Sequence, residues 1–256
     1  MNRSLALATT TALGVLWIGC AAPLDEEVGE SNDALRHGEI TSALAAVGAV
    51  LVGEHMCTGT LVAPRAVLTS AHCFPHDKNG DLGTLKDATF VITPEGGGPK
   101  RIFVLDSFYA RDANVFGGGA TDVALLHVTT AVPANLAAPI PIAARAPRKP
   151  ERVYQLGYGC QSRSDPYNPA KNPLFGEKQM VSFLWGSDHE ETCPGDSGGP
   201  SIEVELIDNV TSHHVFRVTK GYQEGLLGGD RYASVLALKG ELEGVIAAWT
   251  RGEGSR

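Results

Sequence analysis

Several common features are scarce or missing in this chain of 256 residues, and each scarcity narrows the choice of function. Aromatic residues make up only 7% and the net charge is -8 with no long basic block, which disfavours nucleic acid or anionic lipid as a partner. No internal repeat is evident. No Cys-x-x-Cys pair or histidine cluster has the spacing of zinc ligands, so the sequence predicts no metal site.

Long apolar runs are also scarce, and the clearest one lies near the amino terminus. Arg3 precedes an apolar stretch from Leu5 to Ile18, which is shorter than a comfortable membrane span. This pattern predicts a signal peptide over residues 1–20 and export of the protein. The residues around Cys20 resemble the cleavage box of bacterial lipoproteins, which predicts a lipidated Cys20 and a membrane tether. Ordinary signal cleavage near Ala21 is the alternative, and it predicts a secreted protein.

The next segment, residues 21–39, is acidic and lacks apolar periodicity, which indicates a tether or pro-segment. A single folded domain is predicted over residues 40–256. Because an exported protein meets an oxidising compartment, the cysteines other than Cys20 favour two disulfides. Their spacing does not choose among the three possible pairings of Cys57, Cys73, Cys160 and Cys193.

From residue 40 onward the chain consists mostly of short β-rich runs separated by turns rich in Gly and Pro. One long segment, 232–251, has apolar residues at three- and four-residue steps, which predicts a helix. The domain is therefore predicted to be all-β with one C-terminal α-helix. The predicted strands are 45–53, 58–64, 66–73, 88–94, 101–110, 121–128, 152–159 and 213–222.

Three segments contain the residue types that hydroxyl-nucleophile catalysis needs. A serine hydroxyl is not ionised at neutral pH, so it needs a base, and histidine titrates in the right range. The imidazole in turn needs an acceptor on its far nitrogen. The candidates are His72 in "TSAHC", Asp122 in "TDVALLHV" and Ser197 in "GDSGGP".

These three segments together resemble the signature blocks of the chymotrypsin-like (trypsin-type) serine endopeptidases, in that family's His, Asp, Ser order. The resemblance extends to "LGYG" and to the C-terminal helix, and it covers roughly Ile40 to the end of the chain. It implies two six-stranded antiparallel β-barrels with the C-terminal helix, polypeptide substrates, no cofactor and a monomer.

The resemblance also implies a role for each residue of the site. Ser197 would attack the scissile carbonyl, His72 would act as general base and then as general acid, and Asp122 would orient His72. The backbone N–H groups of Gly195 and Ser197 would form the oxyanion hole, where a glycine leaves the N–H accessible.

The same resemblance implies a Cys57–Cys73 disulfide beside the catalytic histidine. Cys193 stands where the family has a pocket cysteine, but no cysteine follows it to act as its usual partner. Because the loop after "LGYG" passes close to the nucleophile loop in the family fold, a Cys160–Cys193 bridge is expected instead.

The substrate pocket departs from the family pattern. Glu191 would lie at its base, where trypsin-type members have Asp, and an acid there predicts a preference for Arg or Lys before the scissile bond. Thr219 and Gly221 would form one wall, with Lys220 between them and able to neutralise Glu191. Asp230 would lie on another wall and add negative charge.

Activation also departs from the pattern. The resemblance implies a zymogen whose new terminal amine pairs with the acid before the nucleophile, here Asp196. Ile40 is the nearest candidate for that terminus, although it lacks the glycines that usually follow.

Two other functions remain open. A non-catalytic serine protease homologue acting as a binding protein is compatible with the unusual pocket and activation site. An esterase of another fold predicts a G-x-S-x-G elbow and the chain order Ser, Asp, His, whereas the candidates here occur in the order His, Asp, Ser.

Overall fold

The computed structural model describes residues 38–74, 85, 87–111, 121–161, 165–166, 170–171, 175–187, 192–207, 210–223 and 229–253. All of these residues belong to one compact unit, Asn32–Arg256. The predicted signal peptide, Cys20 and nearly all of the predicted tether lie outside the described residues, so those predictions remain predictions. Within the described ranges, no helix is both long and apolar enough to cross a membrane.

Six strands from the first half of the domain close into an antiparallel barrel in the order β2-β3-β4-β7-β6-β5. Its strands alternate with short turns, as the β-rich runs in the sequence predict. Most residues of β2, β3, β4 and β7 are buried, which explains why these runs are predominantly apolar. The strands are β2 (Val47–Val52), β3 (His55–Ala63), β4 (Ala66–Thr69), β5 (Thr89–Ile92), β6 (Arg101–Arg111) and β7 (Val123–Val128).

The other six strands form an antiparallel sheet in the order β1-β9-β8-β10-β11-β12. No strand pairing among the described residues joins β1 to β12, so these strands form an open sheet in the part of the chain that the structure describes. The chain then forms α1 (Lys239–Thr250). The strands are β1 (Glu39–Ile40), β8 (Arg152–Gly157), β9 (Gln179–Leu184), β10 (Pro200–Ile207), β11 (Val210–Gln223) and β12 (Gly229–Ser234).

The predicted fold class is confirmed: the molecule is mostly β, with a closed six-stranded barrel, a second sheet and a C-terminal helix. Four strands, β1, β9, β10 and β12, were not predicted, and most other boundaries differ from the predicted ones by one to three residues. Two differences are larger. The predicted helix 232–251 begins only at Lys239, because Tyr232 and Ala233 pair with β11 as part of β12. The predicted strand 66–73 ends at Thr69, and a 3-10 turn (Ala71–Cys73) follows it.

The barrel wall is closed tightly where two glycines face each other across β2 and β3. Gly48 pairs with Gly59 in the register of the two strands. A Cβ on Gly48 would come within 2.6 Å of the Phe90 ring, and one on Gly59 would come within 2.7 Å of Val50 and Val67. Phe90 fills this space and is fully buried. Any larger side chain at either glycine would therefore displace the barrel core.

Candidate active site

The barrel brings two of the predicted catalytic residues together through neighbouring strands. His72 lies on the 3-10 turn directly after β4, and Asp122 lies directly before β7. Because β4 and β7 pair antiparallel, with Thr69 opposite Ala124, the end of one strand meets the start of the other. Residues fifty positions apart in the chain are adjacent for this reason.

Asp122 holds His72 at two points. Its Oδ2 lies 2.6 Å from Nδ1 of the His72 ring, and its Oδ1 accepts a hydrogen bond of 2.9 Å from the His72 backbone N–H. The Asp122 side chain is 1% exposed, whereas the His72 side chain is 16% exposed. The carboxylate therefore fixes the orientation of the ring from the protein side and leaves its other edge towards the surface.

Ser197 belongs to the loop that leads into β10, and this loop is bound to the barrel. The backbone N–H of Thr58 donates to the Ser197 carbonyl at 2.8 Å, and the Thr58 hydroxyl donates to the Gly195 carbonyl at 2.8 Å. Cys73 Sγ, on the residue after His72, lies 3.8 Å from the same Ser197 carbonyl oxygen. Within the described part of the chain, no hydrogen bond joins the Ser197 hydroxyl to the His72 ring.

The residue after Ser197 must be a glycine because the loop lies directly against the turn that carries the histidine. Gly198 has a φ of +80°, and a Cβ there would lie 2.0 Å from Thr69 Oγ1 and 2.8 Å from the Ser70 backbone nitrogen. Its N–H donates to the Thr219 carbonyl at 2.7 Å, and that carbonyl also accepts from the Ser70 hydroxyl at 2.8 Å. The nucleophile loop, the histidine turn and β11 are thus joined at one carbonyl oxygen.

The loop also has the backbone form that an anion-binding turn requires. Gly195 has a φ of +101°, and a Cβ there would come within 2.8 Å of the Gly159 Cα. Neither the Gly195 nor the Ser197 N–H donates a hydrogen bond to another described residue. Two N–H groups beside one serine hydroxyl are the donors that a developing oxyanion needs.

Asp196, between these two residues, is buried and points away from them. Its Oδ1 accepts from the Gly159 N–H at 2.8 Å and its Oδ2 accepts from the Cys193 N–H at 3.0 Å. A Cβ on Gly157 would lie 2.0 Å from the Asp196 Oδ1, and one on Gly159 would lie 2.6 Å from it. The two glycines of "LGYG" therefore make room for this carboxylate.

Both predicted disulfides are present. Cys57 bonds to Cys73, which links β3 to the end of the histidine turn. Cys160 bonds to Cys193, which links the segment after β8 to the nucleophile loop, and the Cys160 N–H donates to the Pro194 carbonyl at 3.1 Å.

The structure describes the predicted pocket residues in part. Glu191 lies outside the described residues, and of Asp230 only the backbone, paired with Tyr222, is described. Thr219 is fully buried and its hydroxyl accepts from Gln155 Nε2 at 3.3 Å, so its carbonyl and not its side chain faces the nucleophile loop. Gly221 has a φ of +129° and follows Lys220 at an irregularity in the β11–β12 register.

Three residues that support the site carry no signal in the sequence. Thr58 and Ser70 bind the nucleophile loop and β11 through contacts across more than a hundred positions of the chain. Lys178 is buried, and its Nζ donates to the carbonyls of Ala43 and Leu44 at 2.7 and 3.2 Å. A motif search cannot find them, because each is defined by a partner that is remote in sequence.

The molecule consists of a closed antiparallel barrel and a second sheet, and the His72–Asp122 pair lies beside the glycine-rich loop of Ser197. This architecture is the trypsin-like fold. The family model described as Trypsin matches residues 36–212, and the chain belongs to this family. Its family membership was expected from the three sequence blocks and is confirmed.

Two individual proteins show how far the similarity extends. Spermosin from Halocynthia roretzi is 28% identical in an alignment 180 residues long that covers 60% of this chain and 45% of spermosin. The chain thus matches less than half the length of that relative. The structure of neuropsin, a serine protease expressed in the limbic system of mouse brain, superimposes with a TM-score of 0.59 at 16% identity. That superposition covers 82% of this chain and 97% of neuropsin, and it supports the fold alone.

Proposed function

We propose that this protein is a serine endopeptidase that cleaves polypeptides through Ser197, His72 and Asp122. The observation that carries the proposal is the 2.6 Å contact between the buried Asp122 carboxylate and the His72 ring, on the turn that packs against the Ser197 loop. A carboxylate on Nδ1 leaves Nε2 as the nitrogen that can accept a proton from a serine.

The reaction follows from this arrangement. The Ser197 oxygen bonds to the scissile carbonyl carbon while its proton passes to His72, and the carbonyl electron pair moves onto oxygen. The N–H groups of Gly195 and Ser197 stabilise that oxyanion. The C–N bond then breaks as His72 returns the proton to the leaving amine. A water molecule, deprotonated by His72, hydrolyses the acyl-enzyme and regenerates Ser197.

The test is labelling of the mature, processed protein with a fluorophosphonate probe. We expect one label per chain on Ser197 and none in Ser197→Ala, whereas Ser107→Ala, on β6, labels normally. A correctly folded wild-type protein that neither reacts with the probe nor hydrolyses peptides would overturn the proposal and leave the non-catalytic binding homologue. Circular dichroism of each variant separates loss of reactivity from loss of folding.

We further propose a preference for Arg or Lys before the scissile bond, as the acid at Glu191 implies. Chromogenic peptides that end in Arg or Lys should then be cleaved faster than those that end in Phe or Leu. Equal or faster cleavage of the apolar series contradicts this specificity.

Activation by cleavage before Ile40 is proposed as well. In the uncut chain Ile40 of β1 pairs with Gln179 of β9, and Ile40 is 59% exposed. Asp196, in contrast, is buried. Pairing of the new amine with Asp196 therefore requires β1 to leave β9 after the cut. Amino-terminal sequencing of the active form tests this, and a start well upstream of Ile40 would refute it.

Export from a bacterial cell, with Cys20 as a lipid anchor, is the proposed localisation. The two disulfides favour an oxidising compartment. Mass spectrometry of the protein expressed in a bacterium should find a diacylglyceryl group on Cys20 and none in Cys20→Ala. An unlipidated mature protein that begins near Ala21 would show ordinary secretion instead.

A further inference from the structure

A cluster of one histidine and two acids lies on the hairpin formed by β10 and β11, and the catalytic proposal does not use it. Glu203 of β10 stands opposite His214 of β11, and Glu205 follows two residues after Glu203. Directly opposite residues and residues two apart on a strand project from the same face of a sheet. Three metal-binding side chains therefore meet on one face of this hairpin.

The distances within the cluster suit a divalent ion. Nδ1 of His214 lies 4.0 Å from Oε1 of Glu203 and 3.9 Å from Oε2 of Glu205. One possible ligand atom from each residue lies within 4.8 Å of the others. An ion with bonds of about 2.0–2.2 Å to nitrogen and oxygen fits between atoms about 3.5–4 Å apart, so only small side-chain adjustments are needed.

The other oxygen of each carboxylate is directed towards one arginine. Arg145 Nη2 donates to Oε1 of Glu205 at 2.7 Å, and Nη1 lies 3.6 Å from Oε2 of Glu203. Glu151 holds the same guanidinium at 2.9 Å. Arg145 thus orients both carboxylates from one side and leaves one oxygen of each towards His214, as outer partners of metal ligands do.

Two buried polar atoms in the cluster have no hydrogen bond. The Glu203 side chain is only 3% exposed, and its Oε2, the oxygen that faces Arg145 at 3.6 Å, makes no hydrogen bond to a described residue. The His214 Nδ1 is also enclosed and without a hydrogen-bond partner. The oxygen of Glu203 that faces the enclosed His214 nitrogen is Oε1, at 4.0 Å, so this nitrogen is available to a cation held between the two side chains.

We propose that Glu203, Glu205 and His214 bind one Zn²⁺-type divalent ion, with water completing its coordination. An imidazole with two carboxylates suits zinc or a similar transition ion, whereas Ca²⁺ takes oxygen ligands almost exclusively. The ion joins the two strands of the hairpin to each other and, through Arg145, to the segment before β8. Its role is structural, and it does not depend on the proposed peptidase activity. His214 thereby acquires a function that its sequence context does not indicate.

The experiment measures thermal unfolding of the metal-stripped protein with and without Zn²⁺. All variants carry Ser197→Ala, so that self-cleavage cannot alter the result. At a Zn²⁺ concentration about 100 times Kd, we expect the Tm of the parent protein to rise by about 5–10 °C. Calorimetric titration should give one tight site per chain, and Co²⁺ in its place should show visible d–d absorption.

The control is the neighbouring histidine on the opposite side of the same strand. His213 pairs with Val204 and packs against the Tyr154 ring, so His213→Ala should keep the whole Zn²⁺ response. His214→Ala and Glu205→Gln should each lose at least nine-tenths of it. Because Glu205 is partly exposed, its variant folds even where a change at Glu203 does not.

Three results would overturn the site. The first is no Tm rise and no tight binding in the parent protein. The second is a response that His213→Ala reduces as much as His214→Ala does. The third is an equal rise with Ca²⁺, which would exclude the imidazole as a ligand.

Discussion

Two His–Asp pairs of nearly equal length lie among the described residues, and burial distinguishes them. His72 and Asp122 are joined at 2.6 Å, and His127 and Asp106 at 2.7 Å. The Asp122 side chain is 1% exposed, whereas the Asp106 side chain is 46% exposed. A carboxylate shielded from water interacts more strongly with an imidazolium than an exposed one does. Only the first pair also lies beside the Ser197 loop.

Changing Asp122 to Asn should therefore abolish most activity while leaving the fold intact. The amide presents the wrong hydrogen-bonding group to His72 Nδ1, and we expect kcat to fall by about 10⁴-fold, as in the trypsin-type triad. Asp106→Asn is the matched control and should keep kcat within about twofold, because it touches no part of the site. A similar loss in both variants would mean that the effect is structural.

Among the elements, β9 and the segment after β1 are joined by a buried lysine. Lys178, directly before β9, donates to the carbonyls of Ala43 and Leu44, and the Thr41 N–H donates back to the Lys178 carbonyl at 3.0 Å. Burial lowers the pKa of Lys178 to about 8. This contact holds the segment that directly follows the proposed activation cleavage before Ile40.

The lowered pKa predicts an unusual dependence of stability on pH. The pKa of Lys178 falls from 10.5 to about 8 on folding, so between these pH values the unfolded chain binds more protons than the folded one. The free energy of unfolding therefore rises with pH in this window, by up to about 3 kcal/mol relative to Lys178→Met. Urea unfolding of both proteins at intervals from pH 7.5 to 10.5 measures this difference.

The control for the loss of one positive charge is Lys100→Met, because Lys100 is exposed and paired with Glu177 on the surface. Its profile should stay parallel to that of the wild type across the same range. Parallel profiles for Lys178→Met as well would show that the buried amine does not change its proton affinity on folding.

At the scale of the whole molecule, Thr58 of the barrel connects the barrel to the second sheet beside the proposed active site. Thr58 binds Gly195 through its hydroxyl and Ser197 through its backbone N–H, and its hydroxyl also accepts from the Tyr158 N–H at 3.1 Å. Tyr158 extends in the opposite direction, and its hydroxyl donates to the Val47 carbonyl at 3.3 Å. Burial raises the pKa of Tyr158, which keeps this hydroxyl protonated as a donor.

Replacing Thr58 with Val should weaken this junction without changing its volume greatly. The Gly195 carbonyl and the Tyr158 N–H would lose a buried partner, so we expect destabilisation by about 2 kcal/mol or more and a lower kcat/KM. Thr60 lies on the same strand, is equally buried, and its hydroxyl has no hydrogen bond among the described residues. Thr60→Val should therefore be neutral or stabilising in urea unfolding, and an equal loss from both changes contradicts this account.

The alternation and turn chemistry of short segments were enough to predict the fold class, and three short blocks were enough to predict the family. These features are local, because strand periodicity and glycine-rich turns depend on neighbouring residues. The bounds of α1 were missed because Tyr232 and Ala233 favour pairing with β11 over continuing a helical pattern.

Long-range packing decided the rest. Nothing near Asp122 or Asp106 in the chain shows which carboxylate is shielded from water, since the barrel closes only when remote strands meet. Likewise, neither Thr58 nor the Glu203–His214 pair has a local signal, because the register of remote or antiparallel strands creates their contacts. The sequence contains the chemical groups, and the closing of the sheets determines which of them face each other away from solvent.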